Sequence, residues 1–240
     1  MSAEALARCP IFQGIARDEL ERIREGARTR KLHRGEMLFS QGDPATHVYV
    51  LEAGRMRLVQ VHPDGRAVIH RILTPGELFG GVAALGEARY PVSAEALEES
   101  QALGWSGEML QQLLLRCPRV ALNLLRLQAR RIEELQERIQ ELVSERVERR
   151  VARAVLRLAR QTGRRTEEGI LVDLPLRRED LANLTGTTLY TASRILSRWE
   201  QLGIVAAGRQ RLVIRSPHAL VEIAEDLSLA EVKESSGENL

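Results

Sequence analysis

Cysteine is nearly absent: Cys9 and Cys117 are the 2 in a chain of 240 residues. Two thiols cannot build a disulfide framework or ligate a four-cysteine iron–sulfur cluster. Lysine is nearly absent too, since among 35 basic residues only Lys31 and Lys233 are lysines. That bias reflects a GC-rich coding sequence more than a function. No apolar run approaches the roughly 18 residues that a membrane-spanning helix needs. The opening MSAEALARCP lacks the long apolar core of a secretory signal. A cytoplasmic protein with no membrane partner is the expectation. The P-loop, HExxH, GxSxG and paired Cys-x-x-Cys motifs are missing, and the five histidines are scattered, so an enzyme is not expected. No repeat of 20–50 residues points to a solenoid.

What is present is a globular composition, 44% apolar and 28% charged, long enough for two domains. The formal net charge of +2 hides an uneven distribution. Residues 1–145 carry 19 basic and 20 acidic side chains, a net of −1. Residues 146–215 carry 15 arginines against 7 acids, a net of +8, and residues 216–240 carry one lysine against 6 acids, a net of −5. Phosphate neutralisation drives duplex affinity, so the positive segment is where nucleic-acid contact is expected. Arginines recurring every three or four residues over 146–160 read as a solvated basic helix face, which phosphates could meet.

Inside that segment, residues 178–203 read as a helix-turn-helix. A short helix carries Leu181, Ala182 and Leu184 inward, and Gly186 stands at the turn, where positive φ is cheap for glycine. Thr188 is placed to cap a second helix that buries Ala192, Leu196, Trp199 and Leu202, with Gly203 closing it. The opposite face shows Leu189, Tyr190, Ser193, Arg194 and Ser197. Arg194 is suited to bridging guanine O6 and N7. Thr188, Tyr190, Thr191, Ser193, Arg194 and Ser197 are therefore the candidate DNA contacts. An ordinary helical hairpin with a solvated face is the competing reading of the same pattern.

Upstream of the pair, Gly163–Gly169 reads as a polar loop and Leu171–Leu174 as a short strand. Downstream, Ile204–Ala206 and Leu212–Arg215 flank Ala207-Gly208-Arg209-Gln210 as a hairpin, a wing on which Arg209 and Arg211 are candidate phosphate contacts. The residues from about Ser228 lack a periodic apolar face and read as disordered.

The N-terminal half is different. Residues 5–30 suggest short helices with Ile11, Phe12, Leu20 and Ile23 buried. From Lys31 to about Ser106, β-branched runs alternate with glycine turns: Met37–Phe39, His47–Glu52, Arg55–Val61 and Ala67–Leu73 are strands, and Pro63-Asp64-Gly65 is one of the turns. Such spacing indicates a β-barrel or sandwich. Residues 108–160 turn helical and contain a heptad. Leu125, Ile132 and Ile139 take the a positions, and Ala121, Gln128, Leu135 and Leu142 the d positions. That arrangement favours a parallel two-stranded coiled coil, with the polar Gln128 fixing register. The expected interface of a homodimer is thus Leu125, Gln128, Ile132, Leu135, Ile139 and Leu142. The fold expected is α+β: a β-roll (1–107), a dimerisation helix (108–145), a winged helix-turn-helix (146–227) and a tail (228–240).

This order of parts resembles the Crp/Fnr superfamily of bacterial transcription regulators. Arg34-Gly35-Glu36 and Gly42-Asp43 look like the family's first hairpin, and Tyr49-Val50-Leu51-Glu52-Ala53-Gly54 like its central strand and turn. Pro75-Gly76-Glu77-Leu78-Phe79-Gly80 looks like the entrance to its ligand cassette, and Pro91-Val92-Ser93-Ala94-Glu95-Ala96-Leu97 like the strand after it. The resemblance implies a cyclic-nucleotide-binding-like jelly roll and a homodimeric, sequence-specific transcription regulator. It implies binding to an inverted-repeat operator, control through the β-roll, and contact with RNA polymerase if the protein activates. The competing function is an effector-binding protein that does not read DNA.

In relatives that bind cyclic AMP, a glutamate, an arginine and a serine hold the nucleotide. Here those positions fall on Gly81, Pro91 and Val92, so cyclic AMP is disfavoured; Arg89 lies near but out of register. The iron–sulfur version needs four cysteines. Haem stays open, with His33, His47, His62, His70 and Cys9 as ligand candidates. A small organic effector such as a keto acid, or none, fits equally. The effector-pocket candidates are Gly80, Gly81, Val82, Arg89, Val92, Ser93 and Gln128. In the recognition helix Tyr190 replaces a family glutamate while Ser193 and Arg194 match. The half-site is therefore expected to share one G·C pair with the family and differ beside it.

Overall fold

The computed structural model describes residues 4–62, 67–81, 85–86, 88–208 and 210–225. The turn expected at Pro63-Asp64-Gly65 and the tail from Ser228 lie outside them. The chain forms two compact units, Met1–Gln136 and Glu137–Leu240.

The first unit opens with helix α1 (Glu4–Ala7), a 3-10 turn (Pro10–Phe12) and α2 (Arg17–Glu25). Among the described residues eight strands follow: β1 (Arg28–Leu32), β2 (Met37–Phe39), β3 (His47–Ala53), β4 (Met56–Val61), β5 (Ala67–Leu73), β6 (Leu78–Phe79), β7 (Ser93–Ala96) and β8 (Ser100–Ser106). They make two antiparallel four-stranded sheets, in the orders β1-β8-β3-β6 and β2-β7-β4-β5. This is the expected β-roll.

Strand β3 explains how the roll is built. It is buried on both faces, because the pleat sends alternate side chains to opposite sides. Val48 and Val50 join Leu103, Trp105, Ile11, Phe12, Leu20 and Ile23 in a cluster under the helices. Tyr49 and Leu51 point into the roll with Phe39, Phe79 and Tyr90. Gly104 of β8 stands in register with Tyr49, and a Cβ there would lie 2.7 Å from Tyr49 Cε1; only glycine leaves room for the ring.

The helical stretch expected over 108–145 is two helices, α3 (Gly107–Arg116) and α4 (Pro118–Ser144). The break falls at Cys117, whose φ of −124° and ψ of 85° are those of a residue forced out of the helical region by the proline after it. Pro118 then starts α4, where its missing N–H is no loss. The division between the two units falls within α4.

The second unit continues with α5 (Val147–Thr162), β9 (Gly163–Thr166), β10 (Gly169–Val172), α6 (Arg178–Thr185), α7 (Leu189–Gln201), β11 (Val205–Gly208), β12 (Arg211–Ile214) and α8 (Pro217–Glu225). Its sheet has the order β11-β12-β10-β9. Two expectations are corrected here. The polar loop at Gly163–Gly169 is mostly strand β9, and the following strand spans Gly169–Val172 rather than Leu171–Leu174. Strand β9 is an edge strand whose Gly163, Arg164 and Arg165 all face solvent, so its sequence has no apolar alternation to betray it. Gly169 opens β10 at φ +133°, and a Cβ there would strike the Ile214 carbonyl oxygen at 2.2 Å.

Candidate nucleic-acid interface

Helix α6 begins where Asp180 Oδ2 accepts the backbone N–H of Arg177 at 2.9 Å, and it buries Leu181, Ala182 and Leu184. It stops at Gly186, whose φ is +62°. Thr188 then caps α7, its hydroxyl accepting from Thr191 N at 3.2 Å. The inner face of α7 is Ala192, Ile195, Leu196 and Trp199, with Trp199 Nε1 donating to Glu148 Oε1 at 2.9 Å. Leu202, expected in this core, is 58% exposed. It is the C-cap, one residue past the end of the helix, and Gly203 at φ +71° turns the chain before another inward position is reached. Ile195, absent from the sequence-based expectation, fills that face instead, 8% exposed.

The outer face of α7 is what duplex DNA would meet. Thr188, Leu189, Tyr190 and Arg194 are exposed, Tyr190 at 75%; Thr191, Ser193 and Ser197 are half-buried. Arg194 has no hydrogen bond or ion pair among the described residues. Its neighbour one turn on, Arg198, lies 3.7 Å from Glu148. Arg211 on the wing meets Glu168 at 3.3 Å, both about half exposed. Arg209 lies outside the described residues.

The basic face expected over 146–160 is only partly solvated: Arg146, Arg157 and Arg160 are exposed, while Arg149, Arg150 and Arg153 are half-buried. Arg153 and Arg157 pair with Glu141 at 3.6 and 2.8 Å, and Arg149 and Arg153 with Glu145 at 3.8 and 3.1 Å. Arg149 and Arg153 also donate to the Ala224 carbonyl at the end of α8. Arg150 donates to the Thr185 carbonyl at 3.2 Å, and Arg138 to that of Leu184. These are last-turn carbonyls, which helices leave without internal partners, so the arginines cap α6 and α8. Burial lowers the pKa of Arg138, and the Arg157 charge adds to that effect.

Sequence reasoning missed Arg177 and Arg178. With Ala207, Gly208 and Gln210 they line a groove of about 550 Å³ at the start of α6 beside the wing. Two arginines directly before the first helix's acidic cap were the available signal.

In the β-roll the effector candidates are scattered. Gly80 has φ +74°, and a Cβ on it would meet the His47 carbonyl oxygen at 3.1 Å and the rings of Tyr49 and Tyr90 at 3.4 Å. Gly81 is buried against Val48. Val82 lies outside the described residues. Arg89 is exposed and donates to the Gly42 carbonyl at 2.6 Å, so it is engaged on the surface. Val92 is half-buried; Ser93 is 8% exposed, its hydroxyl accepting from Gln41 N at 2.9 Å. Gln128 is half-buried on α4, its Nε2 without a partner among the described residues.

Tyr90, not singled out from the sequence, is 4% exposed and stacks on Phe39 with ring centroids 3.8 Å apart. Its hydroxyl donates to the His47 carbonyl at 2.7 Å. Tyr49 and Phe79 extend the stack, at 5.8 Å from Phe39 to Tyr49 and 5.6 Å from Tyr49 to Phe79. Burial, with Tyr90 beside it, pushes the Tyr49 phenol up to about 12.

The haem-ligand candidates fare unevenly. Cys9 is fully buried, and burial pushes its thiol up to about 12, the opposite of what a thiolate ligand needs. His33 pairs with Glu99 at 3.1 Å, and His70 Nε2 lies 2.9 Å from Gln60 Oε1. His47 Nδ1 lies 2.9 Å from Thr46 Oγ1, while His62 is exposed. Among the described residues no three His, Cys, Asp or Glu side chains converge to hold a metal ion.

On α4, Val120 and Leu124 are buried in the first unit's core. The heptad residues stay in solvent: Leu125 is 66% exposed, Ile132 57%, Leu135 56%, Ile139 61% and Leu142 47%.

A winged helix-turn-helix on a small sheet, in one chain with a β-roll of the cyclic-nucleotide-binding type, defines a DNA-binding regulator. The family described as cyclic nucleotide-binding domain matches residues 29–117, and the Crp-like helix-turn-helix domain matches residues 149–223. The cyclic AMP receptor protein of Thermus thermophilus is 34% identical over 219 residues, covering 91% of this chain and 98% of that protein. The transcriptional activator protein FnrA of Stutzerimonas stutzeri is 28% identical, covering 82% of this chain and 80% of that protein. The crystal structure of a CRP-family transcriptional regulator, also from T. thermophilus, superposes with a TM-score of 0.70 at 29% identity, over 82% of this chain and 96% of that one. The chain belongs to the Crp/Fnr family of transcription regulators, whose helix-turn-helix domain binds DNA.

Proposed function

We propose that the protein acts as a homodimer that reads an inverted-repeat operator through α7 and is controlled through its β-roll by something other than cyclic AMP. The observation that carries the reading is Arg194. It projects from a helix locked on its other face by Trp199, and nothing among the described residues engages it. The helix that carries it is fixed, and its guanidinium is left available for a guanine edge. Thr188, Tyr190, Thr191 and Ser193 flank it as further contacts, and Arg177, Arg178 and the wing residues Arg209 and Arg211 supply phosphate contacts.

Dimerisation is supported by the exposed apolar seam on α4. Leaving Leu125, Ile132, Leu135, Ile139 and Leu142 in water forgoes about 25 cal/mol for each Å² that a partner helix would cover. A second copy presenting the same seam in parallel covers it, and the two-fold axis then sets two α7 helices on successive major grooves, roughly 34 Å apart.

Control by cyclic AMP is what the name of the T. thermophilus relative describes for that protein. Here the residues at the nucleotide-binding positions are Gly81, Pro91 and Val92, and the roll beside Gly80 is filled by Phe39, Tyr49, Phe79 and Tyr90. Selection of duplexes from a random-sequence library tests the whole reading. Enrichment of an inverted repeat with half-site centres about 10–11 bp apart supports it, and enrichment of no sequence contradicts it.

A further inference from the structure

We infer that Glu200 is a positioning residue for DNA binding, holding the wing and Arg178 at fixed places relative to the reading helix. The inference rests on the proposal that α7 reads operator DNA. Glu200 lies in the last turn of α7, and its two carboxylate oxygens go to two different elements. Oε1 accepts the backbone N–H of Ala207 on β11 at 2.9 Å. Oε2 accepts from Nη2 of Arg178, in the first turn of α6, at 3.4 Å. Arg178 Nη1 in turn reaches the hydroxyl of Ser197, on the outer side of α7, at 3.4 Å.

Strand β11 is an edge strand, so its outward N–H groups have no neighbouring strand to bond. Ala207 satisfies its own on Glu200. Both walls of the groove lined by Arg177, Arg178, Ala207, Gly208 and Gln210 are therefore tied to one carboxylate. A base contact from Arg194 and backbone contacts from this groove must be made at the same time on a rigid duplex. A misplacement of about 1 Å in a supporting shell is enough to lose one of them. Arg178 and Glu200 are 36% and 32% exposed, so their ion pair alone is weak; the geometry it shares with the Ala207 bond is what matters.

The test uses the full chain and a duplex selected by the parent protein from a random-sequence library, with an unrelated duplex beside it. Affinity is measured at several salt concentrations, and thermal melting is followed in parallel. Glu200→Ala should bind both duplexes about tenfold more weakly, keep the parent's sequence preference, and lose roughly one unit of salt slope per half-site. Glu200→Gln keeps an acceptor for the Ala207 N–H but gives up the ion pair to Arg178, so its slope should fall between those of the parent and Glu200→Ala. A Glu200→Ala protein with parental slope and affinity overturns the inference. So does one that only melts earlier, because a purely structural role lowers stability without removing a phosphate contact. Altered sequence preference in Glu200→Ala also counts against it, since the residue would then act on reading. A parent that binds no duplex overturns the underlying reading and this inference with it.

Discussion

Arg157 on α5 donates to Glu141 on α4 at 2.8 Å, and the receiving residue is only 8% exposed. The pair shows why a net charge summed along a sequence overstates the positive charge that is free on the folded surface. Glu141 and Glu145 fall just before the segment counted as +8, yet they fold back onto its arginines. The proposed phosphate contacts are instead Arg177, Arg178, Arg209 and Arg211. Arg157→Ala should therefore leave the slope of log affinity against log salt unchanged. Arg178→Ala should lower it by about one unit per half-site. Titrations of a selected duplex at a series of salt concentrations separate the two. A lower slope for Arg157→Ala would return the α5 face to the interface.

Assembly depends on the α4 seam. Ile132→Asp combined with Ile139→Asp would bury two carboxylates without partners, each at a penalty of several kcal/mol. The double variant should sediment as a monomer at concentrations where the parent is a dimer. An intact dimer would show that the exposed heptad is not the interface.

The β-roll should refuse cyclic AMP. The positions that the family resemblance assigns to the nucleotide carry Gly81, Pro91 and Val92, Arg89 donates to the Gly42 carbonyl on the surface, and Tyr90 is stacked on Phe39. Calorimetry should detect no binding in the micromolar range. A micromolar constant would mean that the Tyr90 stack opens or that Arg89 swings in.

The two thiols should behave differently. Burial pushes the Cys9 thiol up to about 12 and so keeps it in the unreactive thiol form at pH 8. Cys117 is only half-buried. Native protein should thus react with an alkylating reagent at Cys117 and spare Cys9, both reacting after denaturation. Rapid native labelling of Cys9 would show that the cluster around Ile11 and Val120 opens readily.

Much of this architecture was legible because local rules agreed with the fold. Glycines at Gly186 and Gly203, a threonine at the cap and period-four apolar residues mark α6 and α7 without tertiary information. Strands β2 and β5 stand out for their β-branched or apolar runs between turns. What escaped has physical causes. Strand β9 is polar because it is an edge. Leu202 sits one step past the end of a helix, where periodicity no longer implies burial. Tyr90 is not marked by any period; its role comes from meeting Phe39, distant in sequence. The arginines of α5 looked solvated because their partners Glu141 and Glu145, and the helix ends they cap, are supplied by other elements.

The central claim is that α7 reads sequence through Arg194. Arg194→Ala should be compared with the parent on a library that varies every base pair of the selected operator. The account predicts a loss of about 1–3 kcal/mol per half-site, with discrimination relaxed at one G·C pair and kept elsewhere. An Arg194→Ala protein that retains the parent's preference at every position would contradict it.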